Sequence, residues 1–190
     1  MANNKANRVA RIFDEYLVAS ARAGDRAALE RLVKHWQPKL LAHAYRLTGD
    51  AEQARDVAQD GWADIIKDLP RLTETKVFPA WAYRIVTRRA ADSIRRTVRK
   101  RRIEAAYAAE PEAADKTPGN MENNADKTPL SRAIATLPPN QRAAIALFYL
   151  EEFSITEISV ALEVPAGTVK TRLMHARKKL RALLEGDKNG

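Results

Sequence analysis

The spacing of apolar residues is the sequence feature that most constrains the fold of this chain. Along most of its 190 residues, apolar side chains recur three and four positions apart, as on one face of an α-helix. No alternating segment of useful length predicts a β-strand, and the whole chain contains only seven glycines. Because 45 % of the residues are hydrophobic, the chain can bury a core as one domain or as two small ones. These features predict an all-α protein.

Four helices are predicted before residue 103. Asp25 and Asp50 are candidate N-caps of the second and third helices, and Pro79 lies at the start of the fourth. Pro38 predicts a kink or a break in the second helix. The first helix is expected to end by Gly24. Its predicted apolar face consists of Phe13, Tyr16, Leu17 and Ala21.

A stretch without apolar periodicity separates these helices from a second helical part. The segment between Ile103 and Leu130 contains six acidic residues, only two lysines and three prolines. This composition predicts a flexible linker. The expected organisation is a four-helix domain, the acidic linker, a smaller helical domain and a disordered tail, at 1–102, 103–130, 131–186 and 187–190 respectively.

A helix-turn-helix is predicted in the smaller domain. Ser154 and Glu157 have the spacing of a capping box that opens a short helix, and a turn at 163–165 precedes a longer helix beginning near Ala166. The longer helix carries many basic residues and no acidic residue up to Arg181. An ordinary solvated basic helix is the alternative, but the turn, the capping box and the missing acids together favour binding in a DNA major groove.

The fourth helix carries a second basic face. Its stripe consists of Arg84, Arg88, Arg95, Arg99 and Arg102, opposite an apolar stripe. A phosphate backbone would relieve the repulsion among these charges. Three aromatic residues lie at the upstream end, namely Phe78, Trp81 and Tyr83. Unstacked bases stack on aromatic side chains of this kind. The alternatives are a charged helix end without a role and, for Trp81, a place in the core.

An acidic row marks the third helix. Asp56, Asp60, Asp64 and Asp68 repeat every four residues, and no basic residue at matching positions neutralises them. Each step along such a row climbs about 6 Å, so at most two neighbours can share a metal ion. A solvated face and a docking face for a basic protein are equally compatible with the row.

Charge and missing residue types exclude several classes of function. The net charge of +9 and the pI near 9.9 favour a nucleic-acid partner. The chain has no cysteine, which excludes disulfides, thiolate zinc sites and thiol nucleophiles. The three histidines lack ligand spacing, and no nucleophile elbow or glycine-rich phosphate loop occurs. We expect a protein that is not an enzyme and has no cofactor, no metal and no membrane insertion, located in the cytoplasm.

Three segments resemble the extracytoplasmic-function (ECF) sigma factors of bacterial RNA polymerase. AEQARDVAQDGWADI at 51–65 is similar to the family's polymerase-binding helix, and WAYRIVTRRAADSIRR at 81–96 to its minus-10 helix. The segment 137–180, with GTVKTRL followed by AR, is similar to the minus-35 domain. The resemblance implies a sigma region 2-like four-helix domain and a sigma region 4-like helix-turn-helix domain, joined by the flexible linker.

The resemblance also implies a function and partners. Such a chain binds core RNA polymerase and directs promoter-specific initiation by recognising minus-10 and minus-35 elements. The acidic face, Asp56, Gln59 and Asp60, would dock on the clamp helices of the largest subunit. The helix-turn-helix domain would meet the flap of the second-largest subunit, and an anti-sigma factor is a further expected partner. The alternatives are a two-domain transcription regulator that acts without polymerase and a sigma-like decoy.

The same resemblance assigns candidate DNA contacts. Those for the minus-10 element are Lys76, Phe78, Trp81, Arg84, Arg88, Arg95 and Arg96, with the preceding loop receiving an unstacked base. Those for the minus-35 element are Thr168, Lys170, Thr171, Arg172, Met174, His175, Arg177 and Lys178. Glu163 departs from the family pattern, because its turn position is often Gly. A left-handed conformation there would cost about 1 kcal/mol.

Overall fold

The computed structural model describes residues 2–107 and 129–186 and contains eight α-helices and two short 3-10 segments in those ranges. No strand occurs in the part of the chain that the structure describes, which confirms the all-α prediction. None of the helices in these ranges has the length and apolar character of a membrane span. The expectations for 108–128 and for the tail at 187–190 fall outside the described residues.

Four helices form the first domain. They are α1 (Ala2–Arg22), α2 (Arg26–Thr48), α3 (Ala51–Asp68) and α4 (Phe78–Tyr107). The 3-10 segments Leu69–Arg71 and Thr75–Val77 connect α3 to α4. Burial of one apolar face from each helix forms the core. Its largest fully buried side chains include Leu17, Leu32, Trp36, Leu40, Ile65, Phe78, Tyr83 and Val86.

The predicted caps are confirmed. The Asp25 carboxylate accepts hydrogen bonds from the backbone N–H groups of Ala27 and Ala28, and Asp50 accepts from the N–H of Gln53. These acceptors satisfy amide groups that have no partner within a helix. Gly49 ends α2 in a left-handed conformation that costs glycine little.

The break expected at Pro38 does not occur, because α2 runs continuously from Arg26 to Thr48 with Pro38 inside it. Proline inside a helix removes one hydrogen bond and costs about 3 kcal/mol. Buried residues on both sides of it, Trp36 and Leu40, anchor the two halves of α2 in the same core. Tertiary packing therefore outweighs the local preference of proline.

The buried face of α1 differs from the predicted apolar face. Leu17 is buried as predicted, but Phe13 and Tyr16 are exposed, Tyr16 to 63 %. Val18 takes a fully buried place instead. The apolar stripe is thus rotated by about one residue toward Val18, which the three- and four-residue spacing alone does not distinguish.

The fourth helix is longer than expected and runs to Tyr107. The first residues assigned to the linker, from Ile103 onward, therefore continue the helix. Its apolar stripe is buried at Ala82, Val86 and Ala90, whereas Ile94 is exposed. The second half of α4 thus projects beyond the core.

The second domain contains the remaining four helices. They are α5 (Pro129–Ala135), α6 (Pro139–Tyr149), α7 (Ile155–Leu162) and α8 (Ala166–Gly186). Their shared core includes Leu137, Leu147, Ile158, Val169 and Leu173.

The two domains lie in direct contact. Helix α7 packs against α4, and α6 packs against α2. The ring of Phe153, in the segment between α6 and α7, meets the buried Tyr83 ring edge to face at a centroid distance of 5.5 Å. The first half of α4 is therefore covered by the helix-turn-helix domain.

Candidate nucleic-acid interface

The helix-turn-helix begins with the predicted capping box. Ser154 Oγ accepts a hydrogen bond from the backbone N–H of Glu157 at 3.2 Å, and the Glu157 carboxylate accepts one from the N–H of Ser154 at 2.7 Å. These reciprocal bonds fix the first turn of α7.

The turn of the motif is held in the left-handed conformation anticipated at Glu163, whose φ is 52° and ψ is 45°. Its backbone N–H bonds to the carbonyl oxygens of Ser159 and Val160, and Ser159 Oγ donates to the Val164 carbonyl at 2.6 Å. A residue with a Cβ pays about 1 kcal/mol for this conformation. The hydrogen bonds around the turn offset that cost and set the angle at which α8 leaves it.

One face of α8 buries Val169, Leu173 and Ala176, and the opposite face is open. Met174 is 59 % exposed at the centre of that open face. Thr168 is half-buried, and the Thr171 hydroxyl donates back to the Gly167 carbonyl at 3.0 Å. The exposed candidates for the minus-35 element are Lys170, Thr171, Met174, His175, Arg177 and Lys178.

Two arginines of α8 make contacts within the protein or are partly buried. Arg172 is half-buried, and burial lowers the pKa of its guanidinium. Arg177 lies over the rings of Phe148 and Tyr149, with its guanidinium carbon 5.3 and 5.7 Å from their centroids. Its Nε donates to the Tyr149 hydroxyl at 3.0 Å. Arg177 thus binds α6, a contact that helical spacing alone did not reveal.

At the upstream end of α4, two arginines of the basic stripe form ion pairs with the helix-turn-helix domain. Arg84 and Arg88 both contact Glu163, with Nε to Oε1 distances of 2.8 and 2.7 Å. The Arg88 guanidinium holds the pKa of the Glu163 carboxyl below its usual range, with a smaller contribution from Arg84. The sequence marked Glu163 as unusual but did not place it beside the fourth helix.

Downstream along α4 the arginines differ in their partners. Arg89 binds Asp64 through Nε and Nη2 at 2.6 and 2.5 Å. Arg95 pairs with Asp92 within the helix, and Arg96 is exposed. The acidic row, which has no basic residue at matching positions of its own helix, is thus neutralised at Asp64 by a cation from α4, and Asp68 lies 3.8 Å from Arg71.

The aromatic residues at the start of α4 belong largely to the core. Phe78 is 0 % exposed and packs edge to face on Trp36 at 5.3 Å. Tyr83 is also fully buried, and Trp81 is half-buried against Phe78. A base contact by Phe78 would require the helix start to unpack, whereas Trp81 keeps an accessible edge.

The loop before α4 is open to solvent. Lys76 is exposed, and its ammonium group lies 2.9 Å from Glu74, whose carboxylate raises the pKa of the lysine. Val77 beside it is also exposed. The loop therefore presents a cation and an apolar side chain immediately before α4.

The candidate polymerase-binding residues share an open face of α3. Asp56, Gln59 and Asp60 are all exposed. Gln53, one turn upstream, donates from Nε2 to Ser93 and Thr97 of α4 at 2.9 and 3.2 Å. These bonds fix α3 against α4 and leave the acidic face outward.

A buried polar pair beneath α4 was not predicted. His43 is fully buried, and its Nε2 lies 2.9 Å from Thr87 Oγ1. Burial lowers the pKa of His43 to about 3, with a smaller contribution from Arg46. The imidazole is therefore neutral at physiological pH and ties α2 to the centre of α4.

An apolar groove of 590 Å³ lies between α5, α6, α8 and the end of α2. Tyr149 and Leu150 stand exposed at its edge. The side chains that line it include Leu130, Ile134, Ile145, Tyr149, Leu150 and Leu180. No cluster of acidic residues and histidines suited to a metal ion occurs in the described ranges.

Comparison with known proteins identifies both domains. The family model for Sigma-70 region 2 matches residues 32–100, and the model for Sigma-70, region 4 matches residues 127–180. The first match covers most of α2, all of α3 and most of α4, and the second covers α5, α6, α7 and most of α8.

Characterised relatives match along most of the chain. The ECF RNA polymerase sigma factor SigL of Mycobacterium tuberculosis is 30 % identical over 174 residues, which cover 88 % of this chain and 95 % of the relative. SigW of Bacillus subtilis is 27 % identical over 176 residues, covering 88 % and 94 %.

Two solved structures share the fold. The sigma factor RpoE from Bartonella quintana, in complex with the anti-sigma factor NepR, superposes with a TM-score of 0.60 at 23 % identity, covering 83 % of this chain and 96 % of RpoE. CnrH, in complex with the cytosolic domain of CnrY, gives 0.61 at 24 % identity, covering 92 % and 99 %. With both family models matched in order and a 30 % identical relative covered almost completely, the chain belongs to the ECF family of RNA polymerase sigma factors.

Proposed function

We propose that this sigma factor uses three separate faces, one for core polymerase and two for the promoter elements. Sigma factors are initiation factors without enzymatic activity, so these faces bind partners and hold no catalytic group. The observation that carries the proposal is the division of charge between helices. The open face of α3 is acidic, whereas α4 and α8 are basic.

The acidic face is the proposed docking site for the clamp helices of the largest polymerase subunit. Asp56, Gln59 and Asp60 are exposed together, and Gln53 anchors the helix that carries them. A basic helical partner gains charge complementarity there, which favours association and orientation. Such a contact would use the acids of the row that lie upstream of the Asp64 pair with Arg89.

The proposed minus-10 site combines α4 with the loop before it. Arg84, Arg88, Arg95 and Arg96 are placed to contact phosphates, which supply salt-sensitive affinity without sequence information. Lys76 and the accessible edge of Trp81 are the candidates for receiving an unstacked base. Phe78 supports this site from the core.

The proposed minus-35 site is the open face of α8 in a major groove. Lys170, Thr171 and Met174 lie closest to base edges in this arrangement, and Lys178 is nearer the phosphates. Thr168, Arg172 and His175 flank them. The left-handed turn at Glu163 sets the angle of this helix.

The apolar groove beside α6 is the proposed contact for the flap of the second-largest subunit. Its exposed rim and apolar walls suit an amphipathic segment. An anti-sigma factor is a further proposed partner, supported by the NepR and CnrY complexes of the two structural relatives. The proposed location is the cytoplasm, where the transcription machinery of a bacterium works.

Transcription initiation in a purified system tests the proposal. Core polymerase with the chain added is expected to produce transcripts with discrete 5′ ends from genomic DNA, and core polymerase alone is not. Asp60→Lys is expected to weaken binding to core polymerase, whereas Glu30→Lys, the same change at an exposed site on α2, is not. Equal binding by Asp60→Lys and wild type would contradict the docking assignment.

A further inference from the structure

The ion pairs between the two domains all have the same polarity. Four such pairs occur among the described residues, and each joins a cation of the first domain to an acid of the second. The pairs are Arg11 with Glu157, Lys39 with Glu151, and both Arg84 and Arg88 with Glu163. The helix-turn-helix domain therefore presents carboxylates to α1, α2 and α4, and its partners on α4 are two of the proposed minus-10 arginines.

The geometry is closest at Glu163. Its Oε1 lies 2.8 Å from Arg84 Nε and 2.6 Å from Arg88 Nη2. A single carboxylate oxygen thus bridges two guanidinium groups that stand one helical turn apart. Phosphate oxygens bind guanidinium groups by the same charge-assisted hydrogen bonds. A DNA phosphate on these two arginines would need the volume that Glu163 now occupies.

We propose that Glu163 is an internal competitor of promoter DNA, whose carboxylate takes the place of a DNA phosphate on Arg84 and Arg88 in the free factor. DNA binding by α4 then requires the helix-turn-helix domain to leave it. The inference rests on the proposed role of these arginines in holding the minus-10 element. It adds that the free factor is closed and that the closing residue is Glu163.

The contribution of these ion pairs to the closure is limited by solvent. The side chains of Arg84, Arg88 and Glu163 are 40 %, 55 % and 33 % exposed, so water and salt screen their attraction. Two such pairs shift an equilibrium by about three- to tenfold. Ion pairs of this size add to the packing of α7 on α4 and of Phe153 on Tyr83, so they shift the balance between closed and separated domains without being the whole of the closure.

Interdomain energy transfer measures the closure without DNA. The chain contains no cysteine, so Cys introduced at the exposed positions Glu30 and Lys179 carries the donor and acceptor dyes. Glu163→Gln and Glu163→Gly are both expected to change the transfer efficiency toward separated domains. Glu185→Gln removes an exposed acid from the same domain and is expected to leave the efficiency unchanged.

The Glu163→Gly variant is the control for disruption of the turn. Glycine adopts the left-handed conformation of the turn without a Cβ penalty, so Glu163→Gly keeps or strengthens the turn while it removes the carboxylate. Opening in both variants is therefore due to the lost ion pairs and not to an unfolded domain.

Binding to single-stranded DNA measures the competition between the Glu163 carboxylate and DNA phosphates. Binding of the labelled chains to a 30-nucleotide single-stranded DNA of mixed sequence is expected to be about three- to tenfold tighter for both Glu163 variants than for wild type. Glu185→Gln makes the same change in net charge and is expected to stay within about twofold. DNA added to the wild type is expected to open it.

Two results overturn the proposal and are distinguishable. Unchanged transfer efficiency in both Glu163 variants shows that the carboxylate does not hold the domains together. Opening without tighter DNA binding shows that Glu163 does not compete with phosphate. In that second case Arg88→Gln is added to Glu163→Gly. Unchanged DNA affinity then locates the failure in the proposed role of the arginine, and weaker DNA binding locates it in the proposed competition alone.

Discussion

Arg89 on α4 donates two hydrogen bonds to the carboxylate of Asp64 on α3, at 2.6 and 2.5 Å. The bidentate pair links the proposed polymerase-binding helix to the proposed minus-10 helix. Its geometry is the one in which guanidinium and carboxylate groups interact most strongly. The pair therefore holds the two proposed binding helices together.

The first prediction concerns the pH dependence of this pair. The hydrogen bonds from Arg89 lower the pKa of Asp64. A carboxyl group with a lowered pKa stabilises the fold above its unfolded pKa, and the contribution disappears as pH falls through the folded pKa. We expect Arg89→Met to reduce the free energy of unfolding by about 1 kcal/mol at pH 7. The difference from wild type should shrink below about pH 4.

Urea unfolding at pH 7, 5 and 3 measures this difference. Arg99→Met makes the same substitution at an exposed position of α4 and serves as the control. A stability difference for Arg89→Met that persists undiminished at pH 3 would argue against the ion pair as its source.

The second prediction concerns His43, whose pKa burial lowers to about 3. A histidine with a lowered pKa binds its proton in the unfolded state first, so the fold loses stability as pH falls below about 6.5. The slope from one such group approaches about 1.4 kcal/mol per pH unit. His43→Gln should lack this component between pH 6 and pH 4.

Chemical unfolding of both proteins across this range provides the test. NMR of the imidazole signals gives an independent check, since the His43 ring should show no titration between pH 7.5 and pH 5. A titration midpoint near 6.5 for His43 would contradict the assigned burial.

The third prediction separates Arg177 from Lys178. Both side chains are exposed on α8, but Arg177 donates a hydrogen bond to Tyr149 on α6. A lysine that contacts a phosphate contributes about one unit to the salt slope of duplex binding. We expect Lys178→Ala to reduce that slope by about one unit and Arg177→Ala to leave it unchanged.

Duplex binding over a range of salt concentrations gives both slopes. Arg177→Ala should instead lower the thermal stability of the chain, because the ring contacts on α6 are lost. Equal slope changes in the two variants would return Arg177 to the DNA-binding face.

The fourth prediction concerns Met174, the apolar side chain at the centre of the open face of α8. Apolar side chains in the major groove contact the methyl group of thymine. We expect deoxyuridine in place of one thymine of the selected minus-35 sequence to weaken wild-type binding by about fourfold, as loss of one buried methyl group costs about 0.8 kcal/mol.

Duplexes with a single deoxyuridine at each thymine in turn provide the measurement. Met174→Ala should bind the thymine and deoxyuridine duplexes equally, whereas Lys178→Ala should retain the wild-type preference. A preference for thymine that survives in Met174→Ala would assign the methyl contact to another residue.

Local features were the most predictable part of this structure. The caps at Asp25, Asp50 and Ser154 and the left-handed turn at Glu163 follow from hydrogen bonding within a few residues, so the sequence contains the necessary information. Pro38 shows the limit of such reasoning. Its local preference is overridden by a core that distant residues complete.

Contacts between elements were the part that the sequence did not specify. The partners of Glu163 lie on a helix 75 and 79 residues away, across a segment whose path the sequence does not determine. Likewise, the spacing of the acidic row gave no sign that Arg89 would reach Asp64 from α4. Helical periodicity identifies which face of a helix is buried, but it does not identify the element that covers it.

The continuation of α4 to Tyr107 has a consequence for the promoters that one molecule can occupy. Helix α5 begins at Pro129, so only residues 108–128 connect the ends of the two helices. A chain of that length reaches about 75 Å at most. One base pair adds about 3.4 Å along a DNA duplex, so this tether sets an upper limit on the spacer between the two elements. Because α4 extends to Tyr107, it shortens the connecting chain and so lowers the largest spacing between the two promoter elements that one molecule can bridge.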